Sequence, residues 1–131
     1  MNISKVIIAL KNGQIGVMPT DTIYGLLGST LNQDTVERIY KLRKRTPDNP
    51  FIILISSIND LEKFDIKLSN KQREFLENNW PNPVSGVLPI QSEKFKYLHR
   101  GTKSLAFRMP KDETLLELLY NICLDEKNCC I

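Results

Sequence analysis

The sequence predicts a single-domain α/β protein in which strands alternate or mix with helices. Short apolar runs of strand length occur between longer segments whose apolar residues recur at helical spacing, which is typical of this fold class. The chain has 131 residues, the length of one domain. Hydrophobic residues make up 41% of the chain and charged residues 25%, so there is enough apolar material for one hydrophobic core.

The first half of the chain contains two predicted helices and two predicted strands. A helix is expected over residues 4–11, with Ser4 as its N-cap and Gly13 just beyond its end. Asn32 suits the N-cap of a second helix, because apolar residues follow it at helical spacing. The strands are predicted at two apolar runs, residues 15–18 and residues 51–55. The second of these runs is continuous and is expected to form a central strand.

The second half contains three predicted helices, two predicted strands and one loop. The helices are expected over residues 58–64, 69–80 and 112–124. Asp112 caps the last of them, and Pro81 ends the one before it. The strands are expected over residues 84–90 and 105–109. Residues 93–103 between these strands are predicted to form a polar, partly basic loop. The pattern does not determine strand pairing, so parallel and antiparallel pairs both stay open.

Charge, cysteine content and hydropathy argue against several classes of protein. The net charge of +3 permits binding of ATP or RNA but indicates neither. Cys123, Cys129 and Cys130 are crowded at the C-terminus, which argues against a disulfide framework. His99 is the only histidine, so no metal site is expected. No apolar run reaches the ~18 residues of a membrane span, and the N-terminus lacks signal-peptide features, so a cytoplasmic location is expected.

Two segments in the first half carry side chains suited to polar ligands. Thr20 and Thr22 follow a strand-ending proline, and Gly25 would let the backbone approach a ligand closely. The same residues would also suit a capped turn with no ligand. Arg43 and Arg45 precede a proline-rich turn, and their planar guanidinium groups match carboxylate and phosphate oxygens. A solvated helix end would explain this basic run equally simply.

Two further segments of this kind lie in the second half. Ser85 offers a hydroxyl at the start of a strand, just after a turn preset by Pro81 and Pro83; a purely structural turn is the alternative. Arg108 lies in an otherwise apolar strand. Because an unpaired arginine is expensive to bury, it requires either an internal carboxylate or an anionic ligand.

Together the four segments resemble the YrdC/Sua5 (TsaC) family of threonylcarbamoyl-AMP synthases. Residues 19–26 read Pro-Thr-Asp-Thr-Ile-Tyr-Gly-Leu and match the family signature P-T-[DE]-T-x-Y-G-L in full. Residues 45–50 resemble the K-x-R-P-x-x-[NK]-P-L region of the family, residues 80–85 resemble W-P-G-P-[LV]-T, and residues 105–110 resemble V-A-V-R-x-P. All four occur in the family order.

The sequence also departs from the family pattern. Residues 43–45 read Arg-Lys-Arg at the family's K-x-R, so arginine replaces the usual lysine. A literal K-x-R occurs two residues earlier, at residues 41–43, and leaves the register open. The family's S-x-S-A-N motif does not follow Tyr120. The resemblance therefore implies a YrdC-like domain over residues 1–124, with a twisted mixed sheet flanked by helices and a concave ligand cavity. This domain would be truncated at its C-terminus, with residues 125–131 as a disordered tail.

The resemblance implies a nucleotidyltransferase that joins L-threonine, bicarbonate or CO2, and ATP. Its product would be threonylcarbamoyl-AMP, with release of pyrophosphate, for the t6A modification of tRNA. Mg²⁺ would accompany ATP as substrate, and no protein-bound metal is implied. The macromolecular partners that it suggests are tRNA or other RNA and other proteins of the t6A pathway.

The residues implied by the resemblance fall into three groups. The implied catalytic residues are Arg43 and Arg45. The implied threonine and carbamate pocket consists of Thr20, Thr22 and Tyr24. The implied nucleotide contacts are Arg45, Asn49, Ser85 and Arg108. From the residues alone, Asn49 would also suit the cap of a local turn.

Two other functions stay open. A YrdC-like module that binds double-stranded RNA or nucleotide without turnover would use the basic residues 41–45 and the loop over residues 94–100, with its aromatic side chains interleaved between cations. A carbamoyl-transfer domain of the hydrogenase-maturation type is the other alternative. Such domains normally lie in much longer chains with acylphosphatase and zinc modules, which this sequence does not contain.

Overall fold

The computed structural model describes residues 2–19, 24–44 and 51–124. Two separate sheets form within these residues. In the first, strand β1 (Gly16–Pro19) pairs antiparallel with strand β2 (Tyr24–Leu27). The second contains strands β3 (Ile52–Leu54), β4 (Gly86–Pro89) and β5 (Ser104–Arg108) in the order β3-β5-β4. Strand β3 is parallel to β5 and β4 is antiparallel to it, so the predicted mixed sheet is confirmed.

Strand β5, and not β3, is the central strand of this sheet. The expectation that the run over residues 51–55 is central is therefore wrong for the described sheet. The run is apolar for a different reason: Ile53 lies in the core cluster of the three-stranded sheet, whereas Leu54 contributes to the core beneath the β1–β2 hairpin. A strand at the edge of its own sheet is thus covered on both faces.

Helices α1, α2, α3 and α5 agree with the predicted segments apart from their ends, whereas α4 lies in the segment predicted as a loop. Their bounds are α1 Ile3–Lys11, α2 Gln33–Arg43, α3 Asn70–Asn79, α4 Lys96–His99 and α5 Glu113–Cys123. The predicted caps Asn32 and Asp112 each accept a hydrogen bond from a backbone N–H three residues on, at 3.2 Å and 2.8 Å. The prediction of Ser4 as the first cap is wrong. Asn2 takes that position and accepts from the Lys5 amide at 3.3 Å, so Ser4 lies inside the helix.

The segment predicted as a polar loop over residues 93–103 is largely helical. A 3₁₀ turn over Glu93–Phe95 leads directly into α4. Phe95, Leu98 and His99 are buried, with relative exposures of 2%, 5% and 2%. Their spacing of three and four residues places them on one face, while the intervening lysines face solvent. A second difference is β2, which the pattern did not predict.

Two apolar clusters support the sheets. The first collects the buried faces of β3, β4, β5, α2 and α3, and includes Phe64, Trp80 and Phe107. The second lies between α1, α5 and the β1–β2 hairpin. Its residues are Leu10, Met18, Leu27, Leu54, Leu115, Leu118, Leu119 and Ile122. Four residues of α5 belong to this second cluster, so the helix packs through an apolar face.

The C-terminus of α5 includes one of the three cysteines. Cys123 is buried in the core. Cys129, Cys130 and the rest of the predicted tail over residues 125–131 lie outside the described residues. Among the helices of the described segments, none combines the length and apolarity needed to cross a membrane.

Tyr97 gives the fold a defined response to alkaline pH. Its hydroxyl donates to the Thr30 carbonyl at 2.8 Å, and burial raises the pKa of Tyr97 from 10.0 to about 12. Between these values the unfolded chain loses a proton that the folded chain keeps, so this contribution to stability falls as pH rises from 10 to 12. In urea melts at pH 9, 10 and 11, we expect Tyr97→Phe to lose stability less steeply than the parent.

The matched control for this measurement is Tyr120→Phe, because Tyr120 is 59% exposed. We expect that variant to follow the parent at every pH. Parallel curves for Tyr97→Phe and the parent would show that the tyrosine does not set the alkaline limit.

Candidate functional site

The Ser85 and Arg108 side chains meet at one end of the central strand. Arg108 is the last residue of β5, opposite Leu54 of β3, and its carbonyl accepts from the Ile55 amide at 3.0 Å. Ser85 directly precedes β4. The Nε and Nη2 atoms of Arg108 lie 3.4 Å and 3.3 Å from Ser85 Oγ. The structure thus brings two of the predicted nucleotide contacts together.

The turn before Ser85 is fixed by a buried tryptophan. The indole Nε1–H of Trp80 donates to the Val84 carbonyl at 2.6 Å, and the residue is only 5% exposed. The Asn82 amide donates to the Met109 carbonyl at 3.1 Å, which ties the turn to the end of β5. Consequently the predicted segments around Ser85 and Arg108 form one unit. The support that Trp80 gives to the turn is a part of the site that the sequence motifs did not indicate.

Gly86 lets this turn approach the helix that precedes it. A Cβ atom at Gly86 would lie 3.2 Å from Leu76 Cδ2 and 3.5 Å from Trp80 Cζ2. The first distance is tighter than most real contacts and the second is ordinary van der Waals contact, so a side chain at residue 86 would require Leu76 to shift by a few tenths of an ångström. The absence of a side chain at residue 86 thus lets the start of β4 pack closely on α3.

The predicted threonine pocket is only partly described. Tyr24 is the first residue of β2, opposite Pro19, and is 72% exposed. Thr20 and Thr22 lie in the connection between these strands, outside the described residues. Tyr24 therefore stands at the border of the segment that carries both predicted threonines, and their roles stay predictions.

The predicted catalytic arginines lie at and beyond the end of α2. Arg43 is the last residue of α2 and is exposed, where a cation interacts favourably with the helix dipole. Arg45 and Asn49 lie outside the described residues. Within the described segments, the Arg43 and Tyr24 side chains take part in no hydrogen bond or ion pair. The structure therefore joins Ser85 to Arg108 but records no contact of that pair with Tyr24 or Arg43.

A cavity of about 450 Å³ lies elsewhere, between the 3₁₀ helix Ile58–Phe64 and the start of α3. None of the predicted site residues lines it. The predicted concave site depends on residues 20–23 and 45–50, which the structure does not describe. We therefore assign no ligand to the cavity.

The described residues give little support to a metal centre or an RNA-stacking surface. They contain no group of three histidine, cysteine, aspartate or glutamate side chains that could hold a metal ion. Phe95 and His99 are each 2% exposed, and the Tyr97 hydroxyl is engaged by Thr30. The expectation that these aromatic residues interleave with cations to contact RNA is wrong, because two of them belong to the core and the third is anchored.

The fold and the arginine–serine pair define an α/β domain that presents cationic and hydroxyl groups at the ends of its strands and of helix α2. The chain belongs to the Sua5/YciO/YrdC family, described as telomere recombination, which matches residues 8–124. This confirms the family resemblance and the fold class.

Relatives within the family carry a specific name. The Pyrococcus abyssi protein named threonylcarbamoyl-AMP synthase is 32% identical over 110 residues, covering 84% of this chain and 32% of the relative. The Bacillus subtilis protein of the same name is 30% identical over 111 residues, with the same two coverages. The crystal structure of P. abyssi Sua5 complexed with L-threonine matches with a TM-score of 0.85 and 28% identity, over 98% of this chain and 36% of that one. This chain thus spans about a third of the length of these relatives.

The support from Trp80 can be tested by a change that keeps an aromatic side chain but removes the indole N–H. Trp80→Phe removes the Nε1–H donor and leaves the Val84 carbonyl without it, which costs about 1–3 kcal/mol of unfolding free energy. The measurement is a urea melt of the variant against the parent. Phe75→Leu is the control, since Phe75 lies on the same helix and is 56% exposed. Equal losses in the two variants would argue against this support.

Lys44, which follows Arg43 at the end of α2, provides a second test of stability. It follows α2 with φ 49° and ψ 37°, a left-handed conformation that disfavours side chains. We expect Lys44→Gly to raise the free energy of unfolding by about 1 kcal/mol. Lys41→Gly is the matched control inside the helix and should lower it by a similar amount. Destabilisation by both changes would contradict a left-handed conformation at residue 44.

Proposed function

We propose that this chain is a threonylcarbamoyl-AMP synthase domain, and that its nucleotide contacts include Arg108 and Ser85. The observation that carries the proposal is the meeting of these two side chains, 3.3 Å apart, in a chain 32% identical to a protein of that name. An arginine fork beside a hydroxyl at a strand end suits phosphate oxygens. The complex of P. abyssi Sua5 with L-threonine supports threonine as the second substrate.

The proposed reaction has two balanced steps. The threonine amine and bicarbonate form a carbamate and water. A carbamate oxygen then attacks the α-phosphorus of ATP, the bond to the β-phosphate oxygen breaks, and pyrophosphate leaves. In-line attack of this kind depends mainly on alignment of the reactants and on neutralisation of gathered negative charge, and less on a strong base.

Each predicted residue has a role in this scheme. Arg108 and the predicted Arg45 would neutralise phosphate oxygens, and Arg43 would hold phosphate or carboxylate oxygens at the end of α2. Ser85 and Asn49 would contact the nucleotide. Thr20, Thr22 and Tyr24 would seat threonine and its carbamate.

The remaining participants follow from the substrates. Mg²⁺ would arrive with the triphosphate of ATP. The product would serve tRNA modification together with other proteins of the t6A pathway. The cytoplasm, where tRNA and ATP occur together, is the proposed compartment.

The test is threonine-dependent release of pyrophosphate by the purified chain, supplied with L-threonine, bicarbonate, ATP and Mg²⁺. We expect Arg108→Gln to lower kcat/KM about 100-fold. The variant would lose a preorganised cation at the position where negative charge develops in the transition state. Ser85→Ala should lower it less, by about tenfold, since one neutral hydrogen bond is removed.

The control variant is Arg73→Gln, because Arg73 forms an exposed pair with Glu77 at 3.8 Å on α3, apart from these residues. It should leave the rate unchanged. Absence of any threonine-dependent pyrophosphate from the parent chain would overturn the proposal. Salt-sensitive RNA binding without turnover would instead favour the RNA-binding alternative.

A further inference from the structure

Asn82 occupies a position where three elements of the fold meet. Its side-chain Nδ2 donates to the Asn79 carbonyl at 3.1 Å, and Asn79 is the last residue of α3. Its backbone amide donates to the Met109 carbonyl at 3.1 Å, directly after the end of β5. Its own carbonyl accepts from the Val84 amide at 2.7 Å, within the turn that leads to Ser85. One residue thus joins a helix end, a turn and a strand end.

The side-chain bond of Asn82 supplies a donor to the C-terminus of α3. The last four carbonyls of a helix have no donor within the helix itself. The final turn of α3 contains no basic residue, which would otherwise complement the helix dipole. The Asn79 side chain does not supply this donor, because its Nδ2 donates to the Phe75 carbonyl at 2.7 Å. Asn82 therefore gives the terminal carbonyl of the helix a partner, and the same bond gives the turn a fixed point on the helix.

The Ser85–Arg108 pair tolerates little movement of this turn. Arg108 Nε and Nη2 lie 3.4 Å and 3.3 Å from Ser85 Oγ, at the long end of the range for N–H···O hydrogen bonds. A displacement of Ser85 by about half an ångström away from Arg108 would therefore remove both contacts. Asn82 is bonded to Met109, which adjoins Arg108, and it precedes Ser85 in the same turn. Its position therefore determines how far apart the two side chains lie.

Trp80 and Asn82 support the turn in different ways. The buried indole of Trp80 donates to the Val84 carbonyl and so holds the turn against the core. Asn82 is exposed and links the turn to the ends of α3 and β5. Because its side chain lies at the surface, a substitution there leaves no cavity in the core. Asn82 can therefore be changed to test the alignment of the turn without disrupting the fold.

We propose that Asn82 is a positioning residue, whose side-chain bond to α3 keeps Ser85 in contact with Arg108. The inference rests on the proposed function, because it takes this pair as part of the nucleotide site. Asn82 itself would touch neither ATP nor threonine. Since both side chains of the pair are proposed nucleotide contacts, removal of the Asn82 amide should weaken the binding of ATP and leave the binding of threonine unchanged.

The experiment compares Asn82→Ala with Asn79→Ala. Each change removes one side-chain amide that donates to a carbonyl of α3, at 3.1 Å and 2.7 Å, but only the first releases the turn. We expect Asn82→Ala to raise the KM for ATP about fivefold, as the loss of one neutral hydrogen bond implies, with the KM for threonine unchanged. Asn79→Ala should match the parent. Asn82→Asp keeps the shape of the side chain but lacks the NH2 donor, so it should behave like Asn82→Ala.

A double-mutant cycle distinguishes positioning from a general loss of stability. If Asn82 acts through Ser85, Asn82→Ala should have no further effect on the KM for ATP in the Ser85→Ala background, because residues of one hydrogen-bond network are not additive. The double variant is therefore expected to match Ser85→Ala. A change that only destabilised the fold would add its full effect in both backgrounds.

Hydrogen exchange provides a readout that does not depend on turnover. The backbone amides of residues 82 and 84, which are bonded within the turn and to β5, should lose about tenfold in protection in Asn82→Ala relative to Asn79→Ala. The reason is that local opening of the turn becomes easier. If the parent releases no pyrophosphate, the proposed function fails, while the exchange rates still decide whether the Asn82 side chain holds the turn.

Three outcomes would overturn the inference. The first is equal protection of these amides in Asn82→Ala and Asn79→Ala. The second is a parallel rise in the KM values for ATP and threonine. The third is an additive effect of Asn82→Ala and Ser85→Ala on the KM for ATP.

Discussion

The register of β5 is the constraint on which the described site depends. This strand pairs with β3 in parallel and with β4 in antiparallel fashion, so hydrogen bonds on both edges fix its position. Phe107 is fully buried, whereas Arg108 beside it is not. A slip of one residue would bring the arginine to the core face and the phenylalanine to the other. The cost of burying an unpaired guanidinium excludes that register, so the packing that forms the core also places Arg108 at the site.

The turn that carries Ser85 is positioned by contacts with the same core. Trp80 belongs to the main apolar cluster and at the same time donates to the Val84 carbonyl. Asn82 ties the turn to Met109, immediately after Arg108. Since the turn takes its position from the end of β5, the serine and the arginine cannot shift independently. A polar pair at the protein surface thus acquires its geometry from buried groups.

The sequence predicted the elements whose signals are local. Asn32 and Asp112 precede amphipathic segments and do cap them, because a side-chain acceptor next to free amides is a short-range requirement. The polar composition of residues 93–103 led to the prediction of a loop where the structure has a helical turn. The spacing of Phe95, Leu98 and His99, which are all buried, is the pattern that would have predicted this turn. The Ser85–Arg108 contact was beyond such reasoning, since it depends on strand pairing that no local pattern encodes. Family motifs identified both residues without placing them together.

Different forces hold the two described parts of the candidate site. Ser85 and Arg108 stand on strands joined by backbone hydrogen bonds on both sides of β5. Arg43 stands at the end of α2, which is held by side-chain packing. Val36, Ile39 and Tyr40 lie in the same core cluster as the three-stranded sheet. Arg100 adds a stacking contact with Tyr40 and a partly exposed pair with Glu37. The strand-borne part is therefore positioned by a backbone ladder, and the helix-borne part by packing against the core that both parts share.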